Sequence, residues 1–489
     1  MLEKVHQDRL AKLEKIRALG VDPYGRRHDT AEPLADILDR FVDDDDSQTG
    51  DAAGRLILIR PMGKLIFAHL RDQTGQIQIG LTRNALDQTQ WQLAKLLDLG
   101  DIVAVAGKLT KTRTGEVTIF ADTLTLLCKS LLPMPEKYHG LVDVEARYRR
   151  RYLDLMSNPE SMAAAKKRVA AIDHIRSFLK QRGFEEVATP MMQPLYGGAA
   201  ARPFVTHHNA LDVDLYLRIS PELYLKRLLV GGMEKVFEIN RNFRNEGLDS
   251  RHSPEFTMME LYQAYADYEV MMELTENMVH TAAEAVGGAA ALPFGELQID
   301  YAPPWRRASY DELLQQHAGV SLRDSAAVRA KAGALGIELT NKADAVVADD
   351  LFKSQVESHL IQPTFVMDYP SELCPLTRRK DDDPSLALRF ELYIAGMEIA
   401  NAYTELNDPA VQEANFRQQV AGEGEGEAMR VMDEDFLTAL RHGMPPAGGL
   451  GLGIDRLVML LANRTSIRDV ILFPMLRPRS DQEQSNGGQ

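Results

Sequence analysis

Residues 236–268 read VFEINRNFRNEGLDSRHSPEFTMMELYQAYADY, and the fold follows from how this stretch is parsed. Val236–Asn240 reads as a strand, residues 241–255 as a charged loop turning around Gly247, and Phe256–Tyr265 as a second strand. Strands and helices mix around this stretch without the regular alternation of a parallel sheet, which predicts an α+β architecture built on an antiparallel sheet. Glu260 and Tyr262 are two residues apart, so they share a face. Arg241, Arg244, Glu246, Arg251 and His252 crowd the loop. That density suits an anionic, phosphorylated ligand, and Phe256 follows where a ring could stack on a base. The alternative is a salt-bridged hairpin on the surface.

Two later stretches bear on the same chemistry. Gly448-Gly-Leu-Gly-Leu-Gly-Ile-Asp-Arg456 precedes the helical run LVMLLAN. It is neither a phosphate loop, which needs Gly-Lys-Ser/Thr, nor a dinucleotide fingerprint. Alternating glycines in a strand admit a ligand or a helix close to the backbone, and Arg456 would face that ligand. In residues 391–405, Asn401, Tyr403 and Glu405 alternate on one strand face. A turn near Ala395-Gly396 could fold Glu391 back towards Glu398, a carboxylate pair suited to Mg²⁺ beside a polyphosphate. Two exposed hairpin acids are the alternative.

Upstream, Leu10, Leu13, Ile16 and Leu19 form a helical stripe stopped by Gly20, and Asp43–Asp46 reads as a solvated loop. From Gly54 to Lys129 come short alternating stretches: RLILIR, KLIFAHLRD, GQIQIGL, DIVAVAGKLTKT and GEVTIFADTLTLL. About five strands in so small a module predict an OB-fold barrel, with the helical insertion ALDQTQWQLAKLL between strands. Arg55, Arg60, Lys64, Arg71, Lys108, Lys111 and Arg113 suggest nucleic acid; lysines that guard sheet edges are the other reading. A linker with Pro133 and Pro135 leads to Arg147 and Arg149–Arg151, which could help hold RNA. A helix then starts at Ser157-Asn158-Pro159-Glu160, with Met162, Ala165, Val169, Ile172, Ile175 and Leu179 as its apolar stripe until Gly183. The GEGEGE run, Gly422–Glu427, reads as an exposed insertion.

The 489 residues imply two or three domains. The net charge of −15 argues at first against a nucleic-acid partner, but it is uneven: −5 over residues 1–53, +6 over 54–151 and −16 over 152–489. No apolar run approaches a membrane span, and the first residues lack a signal peptide's apolar stretch. Two cysteines, Cys128 and Cys374, exclude a disulfide framework and fit a reducing cytosol.

Taken together, these stretches resemble the class II aminoacyl-tRNA synthetases, and within them the bacterial lysine–tRNA ligases. The helix before Gly183 with GFEEVATPMM resembles the family's first, dimer-forming motif. FRNE with His252-x-x-x-Phe256 resembles the second, and GLGLGIDR the third. GGAAARPFVTHHNAL (197–211) and SPELYLKR (220–227) resemble the lysine branch rather than its aspartate and asparagine relatives. The resemblance implies lysyl-adenylate formation from lysine and ATP, then transfer to tRNA(Lys), in a cytoplasmic homodimer. It implies that Arg244 grips the α-phosphate, that Phe256 and Arg456 sandwich adenine with Glu246 nearby, and that His252 lies near the γ-phosphate. Glu391 and Glu398 match Mg²⁺ ligands. Gly198, Glu222, Glu260, Tyr262, Asn401, Tyr403 and Glu405 match the lysine pocket, where an ammonium needs carboxylates. An aspartate-specific site would need Lys or Arg there. Arg60, Phe67 and Gln78 match anticodon contacts, Phe67 by stacking and Gln78 by reading a base. His207-His208 has no acids beside it in this reading and is taken as structural.

The implied boundaries are 1–53 (helix and acidic leader), 54–130 (anticodon barrel), 131–156 (linker), 157–480 (catalytic domain) and 481–489 (tail). Three departures stand out. Asn-Gly-Phe becomes Asn401-Ala402-Tyr403, placing a methyl and a hydroxyl on the pocket wall. Ser253 replaces an Asn, and Thr123, beside Asp122, stands where an acid is common. Every charged motif group is present, which disfavours a synthetase-like tRNA-binding protein without ligase activity.

Overall fold

The computed structural model describes residues 2–25, 27–135, 141–199, 201–421 and 432–478. The GEGEGE run and residues 481–489 lie outside them. The chain divides into two compact units, the first holding Met1–Val142 and the second Asp143–Arg477.

In the first unit, strands β1 (Thr49–Met62), β2 (Leu65–Arg71), β3 (Gln76–Thr82), β4 (Ile102–Lys111) and β5 (Val117–Cys128) close a barrel in the order β1-β2-β3-β5-β4. Only the β3/β5 pairing is parallel. This is the expected OB-type barrel. The insertion contributes the helix Gln88–Ala94, whose Asp87 cap accepts from the Gln90 N–H at 2.8 Å. Its Trp91 and Leu93 are buried in the barrel core. The leader helix, Leu2–Ala18, buries Arg9, Leu13 and Ile16. Arg9 was not foreseen: its guanidinium donates to the carbonyls of Leu132 (2.7 Å), Ser130 (3.0 Å) and Leu99 (3.0 Å).

Lys129 is fully buried between Asp98 (2.7 Å) and Asp101 (2.8 Å). Removing one partner of such a cluster leaves an uncompensated buried charge. Lys129→Met is therefore expected to destabilise the barrel by about 3–5 kcal/mol, seen as a lowered midpoint in urea unfolding. A midpoint equal to the wild type's would contradict it.

The second unit is built on an eight-stranded sheet. Its strands are β6 (Glu185–Glu186), β7 (Lys235–Phe243), β8 (Glu255–Ala264), β9 (Arg306–Ser309), β10 (Thr364–Pro370), β11 (Leu386–Ile394), β12 (Met397–Thr404) and β13 (Ala447–Gly453). They run in the order β9-β10-β11-β12-β13-β8-β7-β6. The six central strands are antiparallel, and the edge pairs β9/β10 and β6/β7 are parallel. The expected α+β architecture is thus what forms. β13 shows how its face is made. Leu450 and Leu452 are buried in the main core with Leu261, Met259 and Ala402, while Gly449, Gly451 and Gly453 line the other face. Burying each leucine contributes about 2 kcal/mol, so the register of the glycine face is tightly specified.

The helix Pro159–Gln181 begins where expected, but its buried stripe is Ser161, Ala164, Arg168, Ala171, Ile175 and Phe178 with Leu179. That is about one residue away from the predicted stripe, and Val169 is 58% exposed. The cause is Arg168, a charged residue at the centre of the buried face. Residues 144–156, read as the end of the linker, lie in the helices Val144–Arg149 and Arg151–Ser157. Three of the four arginines expected to help hold RNA are paired within this unit, and Arg150 is exposed. Arg147 and Arg151 pair with buried Asp154 at 2.8 and 2.7 Å, and Arg149 donates to Glu145 at 2.7 Å.

Candidate active site

The glycine face of the sheet gathers residues far apart in the chain. Across it, Glu238, Glu260, Gly451, Asn401 and Glu391 lie directly opposite one another on β7, β8, β13, β12 and β11. One step along, Val236, Tyr262, Gly449, Tyr403 and Arg389 form a second row. Side chains thus rise from the flanking strands around a central strand that has none. A Cβ at Gly449 would collide with Glu405 Oε1 and lie 2.6 Å from the Tyr262 ring; one at Gly451 would lie 3.0 Å from Asn401 Oδ1. Alanine at 449 would therefore push into the pocket acids.

Glu222, Glu260 and Glu405 converge here, all less than a tenth exposed. Ser220 Oγ donates to Glu260 at 3.0 Å, and the Tyr262 hydroxyl at 3.3 Å. Burial, reinforced by the charge of Glu222, pushes the Glu260 carboxyl up to about 8. Burial also raises Glu405, to about 7, although Lys226 opposes it. Lys226 was not singled out in the sequence. Its Nζ lies 2.6 Å from Glu222 and 2.5 Å from Glu405. Gly198 lies against this cluster, with a left-handed φ of 84° and a would-be Cβ 2.9 Å from Ser220 Oγ. The pocket residues expected from the sequence therefore do assemble, with one correction. Ala402 is buried in the core on the opposite face, so only the Tyr403 hydroxyl is added on the pocket side. Its ring carries the Arg389 guanidinium at 5.2 Å.

Towards the ends of β8 and β13, the Arg244 guanidinium sits 5.2 Å from the centre of the Phe256 ring, and its buried Nε has no hydrogen-bond partner among the described residues. Arg456 donates to the Glu398 carbonyl at 2.7 Å and to His252 Nε2 at 3.1 Å. The other ring nitrogen of His252 is bonded to Asp249 at 2.7 Å. Glu246 stays exposed in the loop. Asp455 does different work: it accepts from Arg168 Nη1 and, at 2.7 Å, from the Thr257 N–H. That pair ties the helix Pro159–Gln181 to the strand and helix that carry Phe256 and Arg456. A buried arginine within a helical stripe was the only sequence signal for it.

Glu391 and Glu398 are joined by a two-residue hairpin in which Ala395 and Gly396 both have positive φ, 53° and 69°. Burial raises the Glu391 carboxyl, with Arg389 opposing and Glu398 adding to the rise. Burial acts the same way on Glu398, but Arg456, Arg389 and Asn401 outweigh it and hold it below the ordinary range. Both Tyr369 and Tyr393 donate to Glu391 at 2.7 Å. Glu357 is a third acid nearby; burial, with Glu391 and Glu398 adding, lifts it to about 7. Such mutually repelling hard oxygen donors fit Mg²⁺. Among the described residues no three His, Cys, Asp or Glu side chains form a metal cage of their own; waters or ligand oxygens would complete the coordination of a cation held by two carboxylates.

On the barrel, Arg60, Phe67 and Gly80 are opposite one another on β1, β2 and β3, and Phe67 meets Phe120 edge-on at 6.2 Å. Gln78 is only 8% exposed. Its amide nitrogen donates to Glu116 (2.6 Å) and its carbonyl accepts from Thr118 (2.7 Å). A bulge in β5 leaves Asp122 and Thr123 both exposed. Two basic residues counted towards nucleic acid are paired with the acidic loop, Lys108 with Asp46 (2.9 Å) and Lys111 with Asp43 (2.7 Å). His207 does have acids beside it, Asp214 at 2.8 Å and Asp212 at 3.3 Å. The hairpin register places Asp214 opposite His207, and the group is an exposed hydrogen-bonded cluster.

Residues 143–477 match the family model described as tRNA synthetases class II (D, K and N), and residues 52–127 match the OB-fold nucleic acid binding domain. The lysine–tRNA ligase of Pelotomaculum thermopropionicum is 51% identical over 98% of this chain and 96% of its own length. Those of Carboxydothermus hydrogenoformans and Moorella thermoacetica are each 50% identical, over 98% and 97% of this chain and 99% and 98% of their own lengths. With an antiparallel sheet, a glycine-floored acid pocket and these likenesses over nearly its whole length, the chain belongs to the lysine–tRNA ligase family of the class II tRNA synthetases.

Proposed function

We propose that this chain joins L-lysine to tRNA(Lys) at the expense of ATP, through a lysyl-adenylate. The observation that carries the amino-acid choice is the buried trio Glu222, Glu260 and Glu405 above the glycine floor. Unpaired, these charges are costly; a cationic side chain compensates them, while an anionic one would add to the penalty. Tyr262, Asn401, Tyr403 and Gly198 complete the wall around the amino acid.

The substrate carboxylate is ionised at neutral pH and needs no general base. It attacks the α-phosphorus of ATP in line, and pyrophosphate leaves. Arg244 meets the α-phosphate, with Phe256 and Arg456 on either side of the adenine, Glu246 near its edge and His252 towards the γ-phosphate. Catalysis then consists of positioning and of charge stabilisation by preorganised donors. Glu391 and Glu398 would hold Mg²⁺, which when bound neutralises polyphosphate charge. The 3′-terminal hydroxyl of the tRNA next displaces AMP from the adenylate. The catalytic domain spans 157–480 and the anticodon domain 54–130 in this reading, which also carries a cytoplasmic location and a homodimer. No helix among the described residues is long and apolar enough to cross a membrane. The homodimer is carried by the resemblance of the helix Pro159–Gln181 to the family's dimer-forming motif.

Amino-acid-dependent ATP–pyrophosphate exchange tests the proposal. Lysine should support exchange, and aspartate and asparagine should not; failure of lysine would sink it. The division of labour between the units has its own test. Phe67→Ala should leave exchange within about twofold but lower tRNA charging by about 10–100-fold, as expected for one lost base stack. Equal loss in both assays would contradict it.

A further inference from the structure

The acid pocket contains a cation of its own. Lys226 lies one turn after Glu222 on the helix Glu222–Val230 and is completely buried. Three elements face its ammonium. Its own helix offers Glu222 at 2.6 Å, the end of β12 offers Glu405 at 2.5 Å, and β8 presents the Tyr262 ring with its centre 5.9 Å away. Beyond Tyr262 stands Glu260, which also feels Arg244 and Arg218. The Lys226 ammonium lies 2.5 Å from Oε2 of Glu405, yet neither buried carboxylate oxygen has a partner in good hydrogen-bond geometry among the described residues, so the resident ammonium does not exhaust this carboxylate.

Resting on the ligase reading above, we propose that Lys226 is a fixed counter-ion that sets the pocket at three carboxylates against one ammonium, leaving compensation for two more positive charges. Two is the number of ammonium groups on a lysine molecule with both amines protonated. An amino acid with one ammonium would leave a buried carboxylate uncompensated, and that acid would have to keep a proton. Lys226 is therefore a positioning residue that acts on specificity through the acids. Without substrate, burial holds protons on Glu260 and Glu405 near neutral pH; the two ammonium groups of lysine displace them, while its carboxylate is turned to the α-phosphorus and Arg244 and stays outside this count. Binding of lysine thus releases protons, and its apparent KM falls as pH rises through the range of these two groups. Removing the Lys226 charge raises the affinity of Glu405 for protons and moves that fall to higher pH.

The experiment is lysine-dependent ATP–pyrophosphate exchange from about pH 6 to about pH 9, the range that brackets the two raised carboxyls. Wild-type protein is compared with Lys226→Met, which keeps the stem and removes the charge, and with Lys226→Arg. For Lys226→Met at pH 7, the KM for lysine should rise at least about tenfold while kcat changes less than about threefold, because a charge partner is lost but no reacting group. The midpoint of its KM profile should move up by about one pH unit or more, and Lys226→Arg should bring it back. A Lys226→Met midpoint matching the wild type overturns the inference, as does an equal change in the KM values of lysine and ATP.

Should Lys226→Met lose its native unfolding transition, calorimetry of wild-type protein in two buffers of different ionisation enthalpy decides instead. Lysine binding at pH 7 should release about one proton or more, and release of none overturns the inference. Absence of lysine-dependent exchange in the wild type would instead sink the ligase reading.

Discussion

Replacing Arg244 by alanine is expected to lower lysine-dependent ATP–pyrophosphate exchange by about a thousandfold or more, in the range found when a charged donor at a reacting phosphate is removed. The geometry explains so large an effect. The guanidinium is held over the Phe256 ring, and its buried Nε has no hydrogen-bond partner among the described residues. The ring contact holds the guanidinium beside Phe256, and the unpartnered Nε leaves a donor available for a phosphate oxygen. The backbone at Arg244 is fixed as well, its N–H donating to the Pro254 carbonyl at 2.8 Å. The loss should fall on kcat, with the thermal unfolding midpoint close to the wild type's. Residual exchange above about a tenth of wild type would show that another group carries the α-phosphate.

Glu405→Gln should raise the KM for lysine by about 30–300-fold, equivalent to about 2–3.5 kcal/mol for losing one partner of a desolvated charge pair. The amide keeps the shape of the carboxylate but takes a unit of negative charge from a buried cluster. Lys226 retains Glu222 at 2.6 Å, so the resident cation remains paired, and the deficit falls on the substrate ammonium. The KM for ATP should change less than about threefold, since the nucleotide contacts proposed above lie on other residues. Steady-state exchange with each substrate varied in turn checks this. Equal changes in the two KM values, or an unchanged KM for lysine, would remove Glu405 from the amino-acid pocket.

Much of this site was legible without coordinates because strand periodicity is local. The spacing of Glu260 with Tyr262, and of Asn401, Tyr403 and Glu405, placed each set on one face; β8 and β12 present the first four so, and Glu405, just past β12, reaches the same glycine face at Gly449. The same rule was missed at Ala402: alternation sends it into the core, opposite Leu450. The helix Pro159–Gln181 was misjudged for another reason. Apolar spacing marks a stripe, but a buried ion pair such as Arg168–Asp455, 287 residues apart in the chain, can rotate the stripe without leaving an apolar signature.

The sequence by itself determined the antiparallel α+β class, the barrel and the family, because turn residues, alternation and charged motifs act over a few neighbours. It also brought forward the carboxylates proposed to meet a cation and the arginines proposed to meet phosphate. Only the tertiary structure decided how those charges are already spent. Lys108 and Lys111 answer the acidic loop rather than standing free, Gln78 is tied to Glu116, and Lys226 sits between Glu222 and Glu405. Such pairings join groups distant in sequence and depend on strand order and burial, so no local pattern encodes them. In a desolvated pocket they set which carboxylates hold a proton and which are left for the substrate.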